Sequence, residues 1–218
     1  MSFAPRLNAF QRVFMCIFAA IAAVSIGVAA NFPTMPPPKP RPSSVVKVIL
    51  ANGHGSGVSI GGGYVLTAGH VAVDGVVSLK NSLGVEQPAE VLWYNRDYDV
   101  SVIMASKPEI LGNSPLSCRI PNVGEEVIAT GSPLNTEFTS YWGHVNSGMF
   151  KSGMWKEIIS LDMTIVPGIS GGPLFDKHGN VVGIAVGVAT FPFGQSPSLT
   201  GIGFAVPGAT ICKLLARS

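Results

Sequence analysis

The chain has 218 residues, of which 47% are hydrophobic and 12% charged, with 26 glycines and 17 prolines. This composition favours a loop-rich β protein over a helical or disordered one, and the length suits one ordinary domain or two small fused halves. The formal net charge is +2, and Arg6 and Arg12 of the N-terminal leader account for it. Because Lys and Arg form no cluster beyond the leader and linker, we expect no nucleic-acid partner.

The first 30 residues are typical of a targeting or anchoring segment. Residues 13–30 form an uncharged apolar run that follows a basic flank, and Val28-Ala29-Ala30 resembles an A-x-A cleavage site. A removable signal peptide fits this pattern, and so does an uncleaved membrane anchor, for which the run is at the lower length limit. With either kind of leader helix, the rest of the chain would lie in the periplasm or outside the cell. It would be membrane-anchored if the leader stays and secreted if the leader is cleaved, and the basic flank would stay on the cytoplasmic side.

Proline-rich residues 31–44 predict a stiff extended linker, and the folded domain is expected over 45–218. Alternation and β-branched runs predict two sets of strands, separated by a crossing segment at 106–122. The predicted strands are 45–50, 57–60, 64–67, 75–80, 89–94 and 100–105, then 126–130, 139–147, 157–162, 181–188 and 201–206. An amphipathic pattern predicts a short helix within 207–218.

The sequence therefore predicts an all-β fold of two packed antiparallel six-stranded β-barrels, the first over 45–105 and the second over 123–206, with a short C-terminal helix. Recurrent βαβ alternation is absent, which argues against a parallel sheet. Of the three cysteines, Cys16 lies in the leader, and Cys118 and Cys212 could pair or stay free. They make neither a disulfide framework nor a zinc spacing, and we expect no metal or cofactor.

One segment carries a pattern suited to acyl transfer. Ser170 lies between glycines in Pro167-Gly168-Ile169-Ser170-Gly171-Gly172-Pro173-Leu174, ahead of an apolar run. Glycines allow a tight turn that directs backbone N–H groups at the oxygen that becomes negative when a hydroxyl attacks a carbonyl. The same residues also form ordinary solvated turns, so the remaining chain must supply a base and an acid.

His70 and Asp99 are the candidates for these two roles. His70 follows the apolar strand and Ala68-Gly69, where a general base would be held on a rigid element. Asp99 opens the apolar strand at 100–105, with Asp97 as its competitor. His54 and His178 have the sequence context of exposed turn residues, and His144 that of a structural strand residue.

The order His70, Asp99, Ser170 matches one of the three known chain orders of such triads. The subtilisin order fails because no aspartate precedes His70. The α/β-hydrolase order fails because only Asp176 and His178 follow Ser170, and both are too near to fold back.

With these pieces in that order, residues 45–217 resemble the trypsin-like (chymotrypsin-fold) serine proteases, and are most similar to the HtrA/Deg branch. The segments that carry the resemblance are GSGVSIGGGYVLTAGHV, DVSVIMA, PGISGGPLFDKHGNVVGIAVG and GIGFAVP. It implies a site in the cleft between two barrels, with His70 as general base, Asp99 as its orienting acid and Ser170 as nucleophile. The N–H groups of Gly168 and Ser170 would form the oxyanion hole.

Two departures from the family pattern are visible. Ile169 stands where trypsin relatives carry Asp and HtrA relatives usually Asn, so activation through a salt bridge to a new N-terminus is not expected. What holds the oxyanion loop in place is then an open question. We also expect no PDZ domain, since the resemblance fills the chain to its end.

Position relative to Ser170 in the family implies an uncharged specificity pocket, with Thr164 at its floor. The predicted substrate-binding residues are Thr164, Ala185, Val186, Gly187, Val188 and Gly203. Residues 186–188 would pair with an extended substrate as an added strand. We therefore expect cleavage after small or medium apolar residues.

The function predicted first is a serine endopeptidase acting on proteins or peptides outside the cytoplasm. A catalytically inactive binding or scaffold protein on the same fold is the alternative, because fold does not fix function. An esterase or acyl transferase using the same three residues is a third possibility. The sequence gives no oligomeric state.

Overall fold

A closed antiparallel barrel forms the first half of the fold in the computed structural model, which describes residues 43–193 and 196–217. Its strands are β1 (Val45–Leu50), β2 (Gly53–Gly61), β3 (Tyr64–Ala68), β4 (Val76–Lys80), β5 (Glu86–Asn95) and β6 (Val100–Ala105). They close in the order β1-β2-β3-β6-β5-β4. The predicted six-stranded first barrel is confirmed.

The second half is a seven-stranded sheet rather than the predicted six-stranded barrel. Its strands are β7 (Glu126–Gly131), β8 (Thr139–His144), β9 (Phe150–Ser152), β10 (Trp155–Leu161), β11 (Pro173–Phe175), β12 (Val181–Phe193) and β13 (Ser196–Pro207). Their order is β8-β7-β11-β12-β13-β10-β9. The prediction missed β9 and β11, which are three residues long each and lack a readable alternation.

The hairpin of β12 and β13 is longer than predicted. Both strands continue past the expected limits, and Thr190 pairs with Leu199 while Pro192 pairs with Pro197. The predicted strands were 181–188 and 201–206, and residues 189–200 between them include Pro192 and Pro197, a residue type that is uncommon inside sheets. The pairing shows that the hairpin extends through these positions.

The two halves share one hydrophobic cluster, and a second buried cluster lies within the second sheet. Val46, Leu66 and Ile103 of the barrel belong to the same buried cluster as Ile184 of β12 and Ile211 of the C-terminal helix. That helix, α1 (Gly208–Leu215), confirms the predicted short amphipathic helix. Because burial of apolar area stabilises roughly in proportion to the area removed from water, this shared cluster joins the halves as one folding unit.

Cys118 and Cys212 form a disulfide, which settles the pairing that the sequence left open. Their Cα atoms are 5.6 Å apart, and 94 residues separate them in sequence. The bond fastens the crossing segment to α1.

The predicted leader over 1–30 lies outside the described residues, as does the linker over 31–44 apart from Ser43 and Ser44. Among the residues that are described, no helix has the length and apolar character needed to span a bilayer.

Replacing both cysteines of the disulfide with serine (Cys118→Ser with Cys212→Ser) should destabilise the fold. A cross-link across so long a loop restricts the unfolded chain, and its loss is expected to lower the free energy of unfolding by about 2–5 kcal/mol. Denaturant unfolding without reductant measures the change. Cys16→Ser, in the predicted leader, serves as the control, and an unchanged midpoint in the double variant would contradict the prediction.

Candidate active site

His70 and Asp99 are joined by two hydrogen bonds. The carboxylate Oδ2 of Asp99 lies 2.8 Å from His70 Nδ1, and Oδ1 accepts from the His70 backbone N–H at 2.7 Å. Asp99 is buried, whereas the side chain of His70 is half exposed. The acid therefore fixes one edge of the imidazole and leaves Nε2 directed away from the pair.

Local backbone geometry makes this approach possible. His70 follows β3, and Gly69 before it has no room for a side chain, because a Cβ would lie 2.8 Å from Tyr94 Cε2 and 3.0 Å from Asp99 Oδ1. Asp99 has a φ of 55°, in the left-handed region that aspartate tolerates better than most residues. The Ala-Gly-His motif thus brings the histidine backbone directly against the acid.

Asp99 has a further partner in the second sheet. The indole N–H of Trp155, at the start of β10, donates to Asp99 Oδ2 at 3.1 Å. Burial would raise the pKa of the Asp99 carboxyl, but hydrogen bonds from His70 and Trp155, with the positive charge that His70 can carry, lower it below its ordinary value. The carboxylate therefore stays ionised beside the imidazole.

Asp97, the other candidate for the orienting acid, is paired with a different side chain. Its side chain is largely exposed and pairs with Lys156, whose hydrogen bond and charge lower the Asp97 pKa. It makes no contact with His70 among the described residues.

Ser170 and His70 line the same cleft. Its volume is about 520 Å³, and Val71, Pro167 and Gly168 also contribute to its walls. In the described part of the chain no hydrogen bond joins the Ser170 hydroxyl to the His70 ring. Such bonds are often long in free enzymes and tighten when substrate binds.

The loop at 167–170 presents two free backbone donors. The N–H groups of Gly168 and Ser170 have no acceptor within residues 43–193 and 196–217, whereas the N–H of Ile169 between them donates to Val166 O at 3.1 Å. The Ile169 side chain is fully buried in the core of the second sheet. Two unpaired donors beside a serine can stabilise an oxyanion.

Five of the six predicted specificity residues lie in β12 and β13, and the sixth, Thr164, lies in the loop after β10. Thr164 is half-buried, and Ala185 and Val186 are buried in β12. A Cβ on Gly203 would lie 2.6 Å from Ile165 Cγ1, so this isoleucine side chain covers Gly203.

Gly187 and Val188 complete the predicted set, and both are half-buried. A Cβ on Gly187 would lie 2.9 Å from Trp155 Cη2, which places the indole against this part of β12. β11 pairs with β12 only as far as Ile184. Beyond that point the edge of β12 is free of a partner strand among those described, apart from β13 on its other side.

Four residues near the site were not predicted from the sequence. Ser56, Trp155 and Ile165 carried no recognisable signal, and His54 was assigned to an exposed turn. That assignment is wrong: His54 is in β2, half-buried, and its Nε2 lies 2.9 Å from the backbone O of Ser132. Glycines on both sides of His54 suggested a turn, but Gly55 lies in the strand, where a Cβ would be 2.6 Å from Val71 Cγ1 and 3.0 Å from Ser170 O.

Comparison with known proteins gives a consistent result. Residues 55–184 match the trypsin-like peptidase domain family. The chain is 30% identical over 190 residues to the serine protease Do-like HtrA of Lactococcus lactis subsp. lactis, across 79% of this chain and 46% of that protein. It is 30% identical over 185 residues to a probable periplasmic serine endoprotease DegP-like of Brucella suis, across 79% of this chain and 33% of that protein. The chain thus spans less than half the length of these curated relatives.

Solved structures share the fold. The serine endoprotease from Yersinia pestis has a TM-score of 0.66 and 29% identity, covering 80% of this chain and 62% of that chain. The Rv3671c protease of M. tuberculosis, in an inactive form, has a TM-score of 0.68 and 22% identity, covering 80% and 88%. At that lower identity the likeness concerns the fold alone.

These matches confirm the resemblance that the Ala-Gly-His and Ser-Gly-Gly-Pro motifs indicated. Since the family match extends over more than half of the residues, the chain belongs to the trypsin-like peptidase domain family, with HtrA and DegP-like serine proteases among its relatives.

Proposed function

We propose that the protein is a serine endopeptidase that cleaves proteins or peptides through an acyl-enzyme. The observation that carries the proposal is a single cleft lined by His70, Gly168 and Ser170, in which His70 is bonded to the buried Asp99 and the N–H groups of Gly168 and Ser170 are unpaired among the described residues. Each group needed for acyl transfer is present there, and family membership gives the same reaction class.

In the proposed mechanism, Ser170 Oγ attacks the carbonyl carbon of the substrate while His70 Nε2 takes the hydroxyl proton. The N–H groups of Gly168 and Ser170 donate to the oxygen that becomes negative. When the C–N bond breaks, His70 gives its proton to the departing amine. Water then attacks the ester with His70 again as base, and Ser170 regains its proton.

Asp99 has two tasks in this scheme. Its hydrogen bond to Nδ1 keeps that proton in place, so that Nε2 is free to act as a base, and its charge stabilises the imidazolium. The lowered pKa of Asp99 supports both, because a neutral acid would do neither.

Small or medium apolar residues are the proposed side chains before the cleaved bond. The wall residues carry no charge, and Ile165, which is 2% exposed, takes up space against Gly203. A long side chain would collide with this isoleucine, and a charged side chain would be buried there without a partner for its charge. The free edge of β12 at 186–188 would bind the extended substrate by main-chain hydrogen bonds.

The proposed location is outside the cytoplasm, with the leader over 1–30 as signal peptide or anchor. The Cys118–Cys212 disulfide supports this, since such bonds persist in oxidising compartments. The relative from Brucella suis carries a periplasmic name as well.

Digestion of casein and of a peptide library by the full chain tests the reaction. Ser170→Ala should lower turnover by about 10⁶-fold, as nucleophile loss does in a subtilisin precedent. A fluorophosphonate probe should label the native protein at Ser170 and leave the variant unlabelled. A correctly folded native protein that neither cleaves nor takes the probe would instead indicate the scaffold alternative, and ester cleavage without peptide cleavage would indicate an esterase.

The acid is tested by a matched pair of substitutions. Asp99→Asn should lower kcat by about 10⁴-fold, because an amide favours the wrong histidine tautomer and cannot stabilise the imidazolium. Asp97→Asn alters a largely exposed acid two residues away and should leave kcat within about twofold, as surface changes usually do. Equal losses in the two variants would remove Asp99 from its proposed role.

The pocket is tested with Ile165→Ala. Removing this side chain should shift cleavage toward larger apolar residues such as leucine and phenylalanine, by about 10-fold in relative kcat/KM, since a few methylenes are worth this much in an apolar pocket. Ile158→Ala is the control, because Ile158 is also buried but belongs to the other core cluster. Dominant cleavage after arginine by the native protein would contradict the proposed specificity.

A further inference from the structure

The oxyanion loop has an apolar residue, Ile169, where related proteases use a polar side chain, so another group must hold its backbone. The four loop carbonyls all accept hydrogen bonds. Their donors are Leu134 N for Pro167 O (3.1 Å), Ser56 Oγ for Gly168 O (2.6 Å), Gly172 N for Ile169 O (2.8 Å) and Ser56 N for Ser170 O (2.8 Å).

These four hydrogen bonds determine the direction of the unpaired N–H groups of Gly168 and Ser170. In a trans peptide the C=O and the following N–H face opposite ways. Holding the carbonyls of Pro167 and Ile169 on the protein side therefore turns the N–H groups of Gly168 and Ser170 away from it. The Gly168–Ile169 peptide between them is held by the Ser56 hydroxyl at its carbonyl and by Val166 O at its N–H.

The Ser56 hydroxyl also holds the 132–134 segment, which in turn fixes the Pro167–Gly168 peptide. It accepts from Ser132 N at 2.8 Å, two residues before Leu134, whose N–H binds Pro167 O. Ser56 is fully buried. A Cβ on Gly131 would lie 2.5 Å from Ser56 Oγ, and one on Gly172 3.2 Å from Ser56 Cβ, so the hydroxyl is closely enclosed by backbone.

We infer that Ser56 is a positioning residue for acyl transfer, whose hydroxyl clamps the oxyanion loop to the 132–134 segment and so aligns the N–H groups of Gly168 and Ser170. The inference rests on the proposed peptidase function. The clamp is neutral: a buried hydroxyl that donates once and accepts once has its donor and one acceptor site paired, without the cost of burying a charge.

The test compares Ser56→Ala with Ser59→Ala in the full chain. Ser59 is the matched control, because it lies in the same strand, is equally buried and donates to Asn113 Oδ1 at 2.7 Å, away from the loop. Ser56→Ala removes two buried hydrogen bonds and Ser59→Ala removes one, so denaturant unfolding of both variants shows whether a loss of catalysis goes beyond a loss of stability. Only Ser56→Ala should lose catalysis.

The expected loss in Ser56→Ala is about 10- to 100-fold in kcat with KM within about threefold, since removing an oxyanion donor outright costs about 10²–10³ and here the donors are only misaligned. Affinity for a peptide boronic acid, which fills the oxyanion site, should fall by the same factor. The acidic limb of the pH profile of kcat/KM should stay in place, because the His70–Asp99 pair is untouched.

Three results would overturn the inference: kcat within about twofold of the native value in Ser56→Ala, an equal loss in Ser59→Ala, or a displaced acidic limb. If Ser56→Ala lacks native circular dichroism, Ser56→Cys takes its place, since a thiol keeps the shape but donates weakly. An intermediate kcat would support the clamp and an unchanged kcat would reject it. Failure of the native protein to cleave or label would reject the peptidase function itself, whereas an active native protein with unaltered Ser56 variants rejects the clamp alone.

Discussion

The carboxylate of Asp99 sets the central constraint of the structure. A buried charge is expensive unless hydrogen-bond donors surround it, and Asp99, 5% exposed, accepts from the backbone and ring of His70 and from the indole of Trp155. The two His70 donors belong to the barrel and the Trp155 donor to the second sheet. The charge is therefore satisfied only when the halves are packed together, which couples formation of the fold to formation of the site.

The sequence pattern was sufficient to predict all six strands of the barrel, but it was not sufficient to predict all seven strands of the second sheet. The barrel strands contain readable apolar patterns: β4 and the first half of β5 alternate between more and less buried positions, whereas β2, β3 and β6 each contain a continuous buried run. β9 and β11 have three residues each, which is too short to show a period; β11 also pairs with β7, which is distant in sequence, whereas β9 pairs with the next strand, β10. The extension of β12 past Val188 depends on its partner strand β13, because Pro192 by itself does not favour a strand.

At the site, the residues that could be predicted are those whose type the chemistry dictates. His70, Asp99 and Ser170 follow from the need for a base, an acid and a hydroxyl in a workable order. The structure joins the first two by a hydrogen bond, and His70 and Ser170 line one cleft. Ser56 and Trp155 contribute through hydrogen bonds that many other residue types could supply. Nothing in their local sequence distinguishes them, since a serine between glycines and a tryptophan at a strand end are equally common without such a role.

The position of the disulfide has a consequence for the integrity of the molecule. Cys118 precedes β7 and Cys212 follows β13, so the whole second sheet lies within one covalent ring. A single nick anywhere in that ring yields two fragments that stay attached through sulfur. A molecule clipped by its own activity would therefore keep its full mass until a thiol reductant separates the pieces.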